Sequence, residues 1–124
     1  CAISLSDLLT PWAVIEKRLT KACEGDFVIA LYNPTSKKRG GNFQTALGLL
    51  KRYYKPTTPV SVGKSIGRPE EEVIITSLMN LDKEAIDMLS IIIIGNSQTK
   101  IIDGKIFTPR GYLQNSSESR VIDQ

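Results

Sequence analysis

Nine residues near the start of the chain, Asp26 to Pro34 (DFVIALYNP), restrict the fold more than any other stretch. Phe27 to Tyr32 is apolar without interruption, and Asn33-Pro34 ends the run. A continuous apolar run of strand length suits a strand covered on both faces by helices, because a half-exposed strand alternates instead. Pro34 has no N–H to give a ladder and disfavours helical geometry at Asn33, so the strand has to stop there. In open α/β sheets, ligands collect at the carboxyl ends of such strands. Tyr32, Asn33 and Pro34 are therefore the first candidate small-molecule contacts.

Either side of this run the punctuation is regular. Cys1 to Leu5 reads as a strand, and Thr10-Pro11 opens a helix with Thr10 as the N-cap and Pro11 in the first helical position. Trp12, Ile15, Leu19, Ala22 and Cys23 form its apolar stripe, and Glu24-Gly25 closes it. Asn42 is placed to cap a second helix with Phe43, Ala46, Leu47, Leu50 and Tyr54 inward, and Lys51, Arg52 and Lys55 near its end suit the helix dipole. Val60 to Val62 and Val73 to Leu78 read as strands around a loop in which Gly67 marks a position of positive φ. Asp82 to Met88 reads as a short helix, Ile91 to Ile94 as a buried strand, and Lys100 to Phe107 as a hairpin turning at Asp103-Gly104. The polar tail 113–124 has no periodicity and is expected to fray. The sum predicts an α/β fold, a mixed sheet with helices packed on its faces, in one domain over residues 1–112.

Composition excludes several function classes. The 124 residues are 41% hydrophobic and 23% charged, ordinary globular values, and the longest apolar runs are far too short to span a bilayer. Cys1 and Cys23 are too few and too far apart for a disulfide framework or a zinc site, and the chain has no histidine. A net charge of +3 does not by itself imply nucleic acid. These features predict a cytoplasmic protein with no membrane or nucleic-acid partner. The chain starts on Cys1 and enters a strand at once, which is expected of a piece of a longer protein.

Few residue clusters suggest chemistry. The loop Thr35 to Gly41 (TSKKRGG) invites a phosphate cradle, but its lysines precede its glycines, so a solvated basic loop is the simpler reading. Glu70, Glu71 and Glu72 read more simply as a solvated lead into a strand than as an acid–base cluster. Cys23 has the setting of an inert buried thiol, and Asp7 either faces a cleft or caps a turn. By residue types alone, the prediction stops at a small-molecule-binding α/β domain.

Four phrases go further: CAISLSDLLTPW, DFVIALYNPTSKKR, TPVSVGKSIGRPEEEVIITSL and MLSIIIIGNSQTKIIDGKIFTPRGY. Together they resemble the C-terminal half of the tetrapyrrole methylase family of cobalamin biosynthesis, in the branch that methylates ring carbon 17. The resemblance runs from Cys1 to Tyr112 and leaves out the tail. It implies a two-domain, S-adenosylmethionine-dependent methyltransferase acting on precorrin-3B, or its cobalt form, with ring contraction. The cofactor would lie between the domains, the N-terminal domain would be missing here, and the intact enzyme would be a homodimer. Carried onto this sequence, the family's cofactor contacts fall on Tyr32, Asn33, Pro34, Ser65, Ile66, Gly67, Thr76 and Ser77, and its tetrapyrrole side on Ser4, Ser6 and Asp7. No catalytic side chain or metal ligand is implied, since methyl transfer from a sulfonium needs orientation and exclusion of water. Lys37, Lys38, Arg39 and Arg68 would attract an acidic substrate, or serve only solubility. One departure stands out: the family pattern has an Asn-Ala pair where this chain has Ser65-Ile66, so either the loop shifts or the contact falls a residue away. The rival reading is a non-catalytic α/β ligand-binding or dimerisation module.

Overall fold

A computed structural model of the chain describes residues 1–34 and 41–111. The elements are β1 (Ala2–Ser4), α1 (Trp12–Glu24), β2 (Ile29–Tyr32), α2 (Gly41–Tyr53), β3 (Pro59–Lys64), β4 (Glu72–Ser77), a 3-10 turn at Lys83–Ala85, β5 (Ser90–Ile94), β6 (Lys100–Ile102) and β7 (Lys105–Phe107). The basic loop with Lys37, Lys38 and Arg39, and the tail from Tyr112 onward, lie outside the described residues.

The apolar run becomes β2, but it starts at Ile29, and Phe27 is 53% exposed. The turn before it shows why. Asp26 is the left-handed residue, at φ 56°, while Gly25 has an ordinary φ of −81°. Gly25 instead leaves room for the Phe27 ring, which a Cβ there would meet at 2.8 Å and push aside. Both expected helix caps also move. Pro11, with an extended ψ of 141°, is the capping residue of α1, and its carbonyl takes the first helical bond from Val14 N at 3.0 Å. Asn42 lies inside α2 and donates from Nδ2 to the Leu5 carbonyl at 3.2 Å, pinning the helix start to the end of β1. The expected helix at Asp82 shrinks to the 3-10 turn, with Asp82 accepting from Glu84 N.

The main sheet has the order β1-β2-β5-β3-β4. β1 runs parallel to β2, whereas β5 is antiparallel to both β2 and β3, and β4 is antiparallel to β3. β1, β2 and β3 therefore point the same way, and the chain passes from each to the next in one direction across the sheet. Right-handed crossovers that progress in one direction put their helices on one face. The core agrees: Ile3, Leu5, Ile29, Leu31, Val60, Val62, Ile92 and Ile94 form one inward row, packed in a single cluster with Ile15, Leu19, Phe43, Ala46 and Leu50 of the helices. The mixed sheet is as expected, but among the described residues helices cover one face of β2 rather than two. Ala30, Ile75, Ile91 and Ile93 on the other face are only half-buried. Among the described residues no helix is long and apolar enough to cross a membrane.

Two consequences for stability follow from the helices. Gly48 lies within α2, and a Cβ there would meet nothing within 4 Å. Gly48→Ala is expected to raise the urea midpoint, adding about 1 kcal/mol through helix propensity alone; a loss of stability would place a packed neighbour over that residue. On α1, burial pushes the Cys23 thiol from its ordinary 9.0 up to about 11, with the Glu24 charge adding to it. Burial likewise raises the Tyr54 hydroxyl, assisted by the Cys23 and Asp26 charges, and that hydroxyl donates to the Phe27 carbonyl at 2.6 Å. Both groups hold their protons more tightly folded than unfolded. The Cys23 contribution, on the order of 2 kcal/mol, is complete below pH 9 and is lost as pH rises toward 11. That of Tyr54 starts to fall only above its ordinary 10.0. Chemical denaturation between pH 8 and 11 should show this fall, and Cys23→Ala should flatten it; an unchanged slope would contradict the assignment.

Candidate functional site

Because β1, β2 and β3 are parallel, their carboxyl ends share one end of the sheet. At the ends of β1 and β2 lies a cleft of about 440 Å³, whose lining includes Ser4, Ser6, Leu8, Thr10, Arg18, Tyr32 and Asn33. Local hydrogen bonds set its shape. Leu5 N donates to the Tyr32 carbonyl at 2.9 Å and carries the parallel ladder past both strands. Asn33 Nδ2 donates to Ser4 Oγ at 3.1 Å, and Ser6 N donates to the same oxygen at 3.2 Å. Asn33 is exposed and sits at φ 51°, a conformation that few residues other than glycine adopt, while Pro34 after it is buried. Backbone strain of this kind concentrates where a chain must present groups to a ligand.

The other expected contacts divide. Ser65, Ile66 and Gly67 follow β3 at the same end, two strand spacings or about 10 Å from β2, and they do not line the cleft. Their loop is also strained, with Ser65 at φ 52° and Gly67 at φ 85°. Ser65 N donates to the Leu89 carbonyl at 3.1 Å, and Gly67 N to Glu71 Oε1 at 2.9 Å. The bulk of Ile66 is turned back onto the sheet, so close over Gly63 that a Cβ there would lie 3.0 Å from Ile66 Cγ1. Asp7 follows β1 at this end and is half-buried without lining the cleft.

Thr76 and Ser77 are not brought to the cleft. They pair with Val60 and Pro59 at the start of β3, roughly 20 Å along the strand from Ser65. The reason is the short β3–β4 connection, which makes the pair antiparallel and returns Ser77 to the opposite end. Sequence reasoning missed Arg18, Leu8 and Leu9, which do line the cleft. For Arg18 a signal existed: Val14, Arg18 and Lys21 repeat at helical spacing on a face flanking the apolar stripe.

A larger cavity, about 660 Å³, lies at the opposite end, among Tyr53, Thr58, Asn96, Ser97, Thr99 and Lys100. Its Asn96, Ser97 and Thr99 are already engaged with Asp26 and with one another. Ser97 N donates to Asp26 Oδ1 at 3.0 Å, Asn96 Nδ2 to the Asp26 carbonyl at 3.1 Å, and Asn96 N to Thr99 Oγ1 at 2.8 Å. The Gly95–Thr99 turn is thus a brace between β5 and the start of β2.

No family model matches the chain. Curated proteins do. Over 112 residues it is 53% identical to a probable cobalt-factor III C(17)-methyltransferase of Salmonella typhimurium, covering 90% of this chain and 46% of that protein. Over 117 residues it is 44% identical to a precorrin-3B C(17)-methyltransferase of a Sinorhizobium species, covering 90% and 46%. The chain is a relative of these methyltransferases along about half their length. Its fold matches the crystal structure of the methyltransferase CobJ with a TM-score of 0.83 at 35% identity, over 88% of this chain and 46% of that one. The α/β class expected from the sequence, the mixed-sheet domain of the tetrapyrrole methylase fold, is therefore the one found.

Proposed function

We propose that this chain is the C-terminal half of an S-adenosylmethionine-dependent methyltransferase that acts at ring carbon 17 of precorrin-3B, or its cobalt form, with ring contraction. Its share of the work is one wall of the cofactor cleft. The observation that carries this reading is the Ser4–Asn33 hydrogen bond at the carboxyl ends of two parallel strands, with Asn33 held in a left-handed conformation. The lining suits the cofactor: the Asn33 amide for its polar groups and Tyr32, Leu8 and Leu9 for the adenine, with the Ser4 and Ser6 hydroxyls beside them on the tetrapyrrole side. When bound, the cofactor supplies an electrophilic methyl group on sulfur. The chain's own residues orient and shield. Ser4 holds the Asn33 amide, the buried Pro34 fixes the strand end, and exposed Leu8 and Leu9 are placed to exclude water once covered. The opposite wall comes from the N-terminal half, and the intact enzyme is a dimer.

The test is calorimetric titration of S-adenosylhomocysteine into this chain completed with the missing half of a relative. Micromolar binding is expected there, weakened at least a hundredfold by Asn33→Arg, which fills the cleft mouth; a melting curve checks that the variant is folded. Binding that ignores Asn33→Arg, or no binding by a folded completed chain, would replace this reading with the non-catalytic module.

A further inference from the structure

The larger cavity, at the end of the sheet away from the cofactor cleft, holds groups that the Gly95–Thr99 brace leaves unused. Thr58 lines it and is only 6% exposed. Its backbone is fully engaged: the N–H donates to the Lys55 carbonyl at 3.0 Å, and the carbonyl accepts from Leu78 N at 2.9 Å. Among the described residues nothing hydrogen-bonds its hydroxyl, and that oxygen is not sealed from solvent, so it opens onto the cavity. A buried hydroxyl without a partner is costly, and here only an occupant of the cavity supplies one. Lys55, just after α2, and Lys100, at the start of β6, bring two cations to the lining, and among the described residues neither makes an ion pair. The one carboxylate of the lining, Asp26, has both oxygens taken by Ser97. Tyr53, Ile101 and Ile102 add exposed apolar surface.

We propose that this cavity binds a phosphate monoester carried on a flat apolar body, with Lys55, Lys100 and the Thr58 hydroxyl on the phosphate and Tyr53, Ile101 and Ile102 against the body. This goes beyond the methyltransferase reading and does not rest on it. The volume of about 660 Å³ is that of a small-molecule site, which spans roughly 300–1,000 Å³. A phosphate monoester brings about −1.5 to −2 charges at pH 7 and three acceptor oxygens, enough for two ammonium groups and a hydroxyl at once. A carboxylate has one charge and two oxygens, and leaves one cation unanswered. An exposed lysine–anion contact is weak by itself, so the buried hydroxyl and the apolar walls supply the rest. Other occupants fit less well. The missing half joins through Cys1, and neither β1 nor α1 contributes to this lining. A second copy seated on the same patch about a two-fold axis would face Lys55 and Lys100 with their own counterparts. The tail 113–124 offers Glu118 and Asp123 with Arg120 between them, so its own cation would compete. Lysines kept only for solubility give no account of the buried, unbonded Thr58 hydroxyl.

The experiment is a fluorescence titration of 1-naphthyl phosphate into the 124-residue chain, followed by amide NMR of the saturated complex. Saturable binding is expected, with amide shifts at Thr57, Ser97 and Ile101 and none at Ser6 or Asn33. Thr58→Val, which keeps the shape and removes the hydroxyl, should weaken binding about fivefold, and Lys100→Gln about tenfold. Lys51→Gln, on a face of α2 that lines a different hollow, should leave it unchanged. Melting curves check that each variant is folded. No saturable binding, shifts at Ser6 or Asn33, or equal losses from Lys51→Gln and Lys100→Gln would overturn the proposal. 1-Naphthoate should bind about tenfold more weakly than the phosphate, and equal affinity would overturn the choice of a phosphate. Displacement by inorganic phosphate at equal concentration would overturn the part given to the apolar body. No binding by a chain that sediments as a dimer would give the patch to a second copy instead.

Discussion

Truncation of Ile92 to alanine is expected to lower the unfolding free energy by about 4 kcal/mol. Ile92 is fully buried in the middle of β5, where its backbone neighbours are Leu31 on β2 and Val62 on β3. Strands on both sides and helices above the inward row keep the cavity from collapsing, which is the condition under which such truncations cost most. Its neighbour Ile93 faces the half-covered side, so Ile93→Ala should cost less than half as much. Equilibrium urea unfolding of the two variants measures the difference directly. Equal losses would mean that the two faces are equally packed, against the one-sided arrangement.

Gly95→Ala is the second large effect, about 3 kcal/mol. A Cβ at this residue would lie 2.6 Å from Thr99 Cβ and 2.7 Å from Thr99 Oγ1, closer than real contacts allow. Thr99 cannot simply turn aside. Its hydroxyl accepts from Asn96 N and is shared with Thr108 Oγ1 at 2.7 Å, so moving it unties the turn that holds Asp26 and the base of the β6–β7 hairpin. Melting temperature should fall, and amide exchange should speed up first at Asn96 and Ser97. A Gly95→Ala variant within 0.5 kcal/mol of the parent would show that the turn yields without cost.

Much of this architecture was legible in the sequence, for physical reasons that differ by element. The hairpin was the clearest: Asp103 and Gly104 have φ 52° and 72°, as a primed turn demands of its two central residues. Gly67 likewise has the positive φ expected of it. Helix interiors were readable from their stripes, but helix starts were not. Asn42 had a tertiary partner in the Leu5 carbonyl, and no local rule anticipates that. Continuous hydrophobicity was the least faithful signal. In β5 it reflects one row in the core and one half-covered, which periodicity does not separate from burial on both sides. The candidate site was half legible. Tyr32, Asn33, Ser4 and Ser6 meet because parallel strands end together, whereas the short link after β3 makes an antiparallel return that carries Thr76 and Ser77 to the other end of the sheet.

The place of β5 in the sheet carries a consequence for how the chain matures. β2 and β3 never touch as neighbours; the strand that joins them is made from residues 90–94, after both helices and four other strands have been synthesised. Until then a nascent chain holds β1 with β2 as one fragment and β3 with β4 as another, each with an open edge and an apolar row in water. Ser90 to Ile94 therefore acts as a closing bolt. A chain cut before this segment would lack the strand that joins the two halves of the sheet, leaving each half with an open edge.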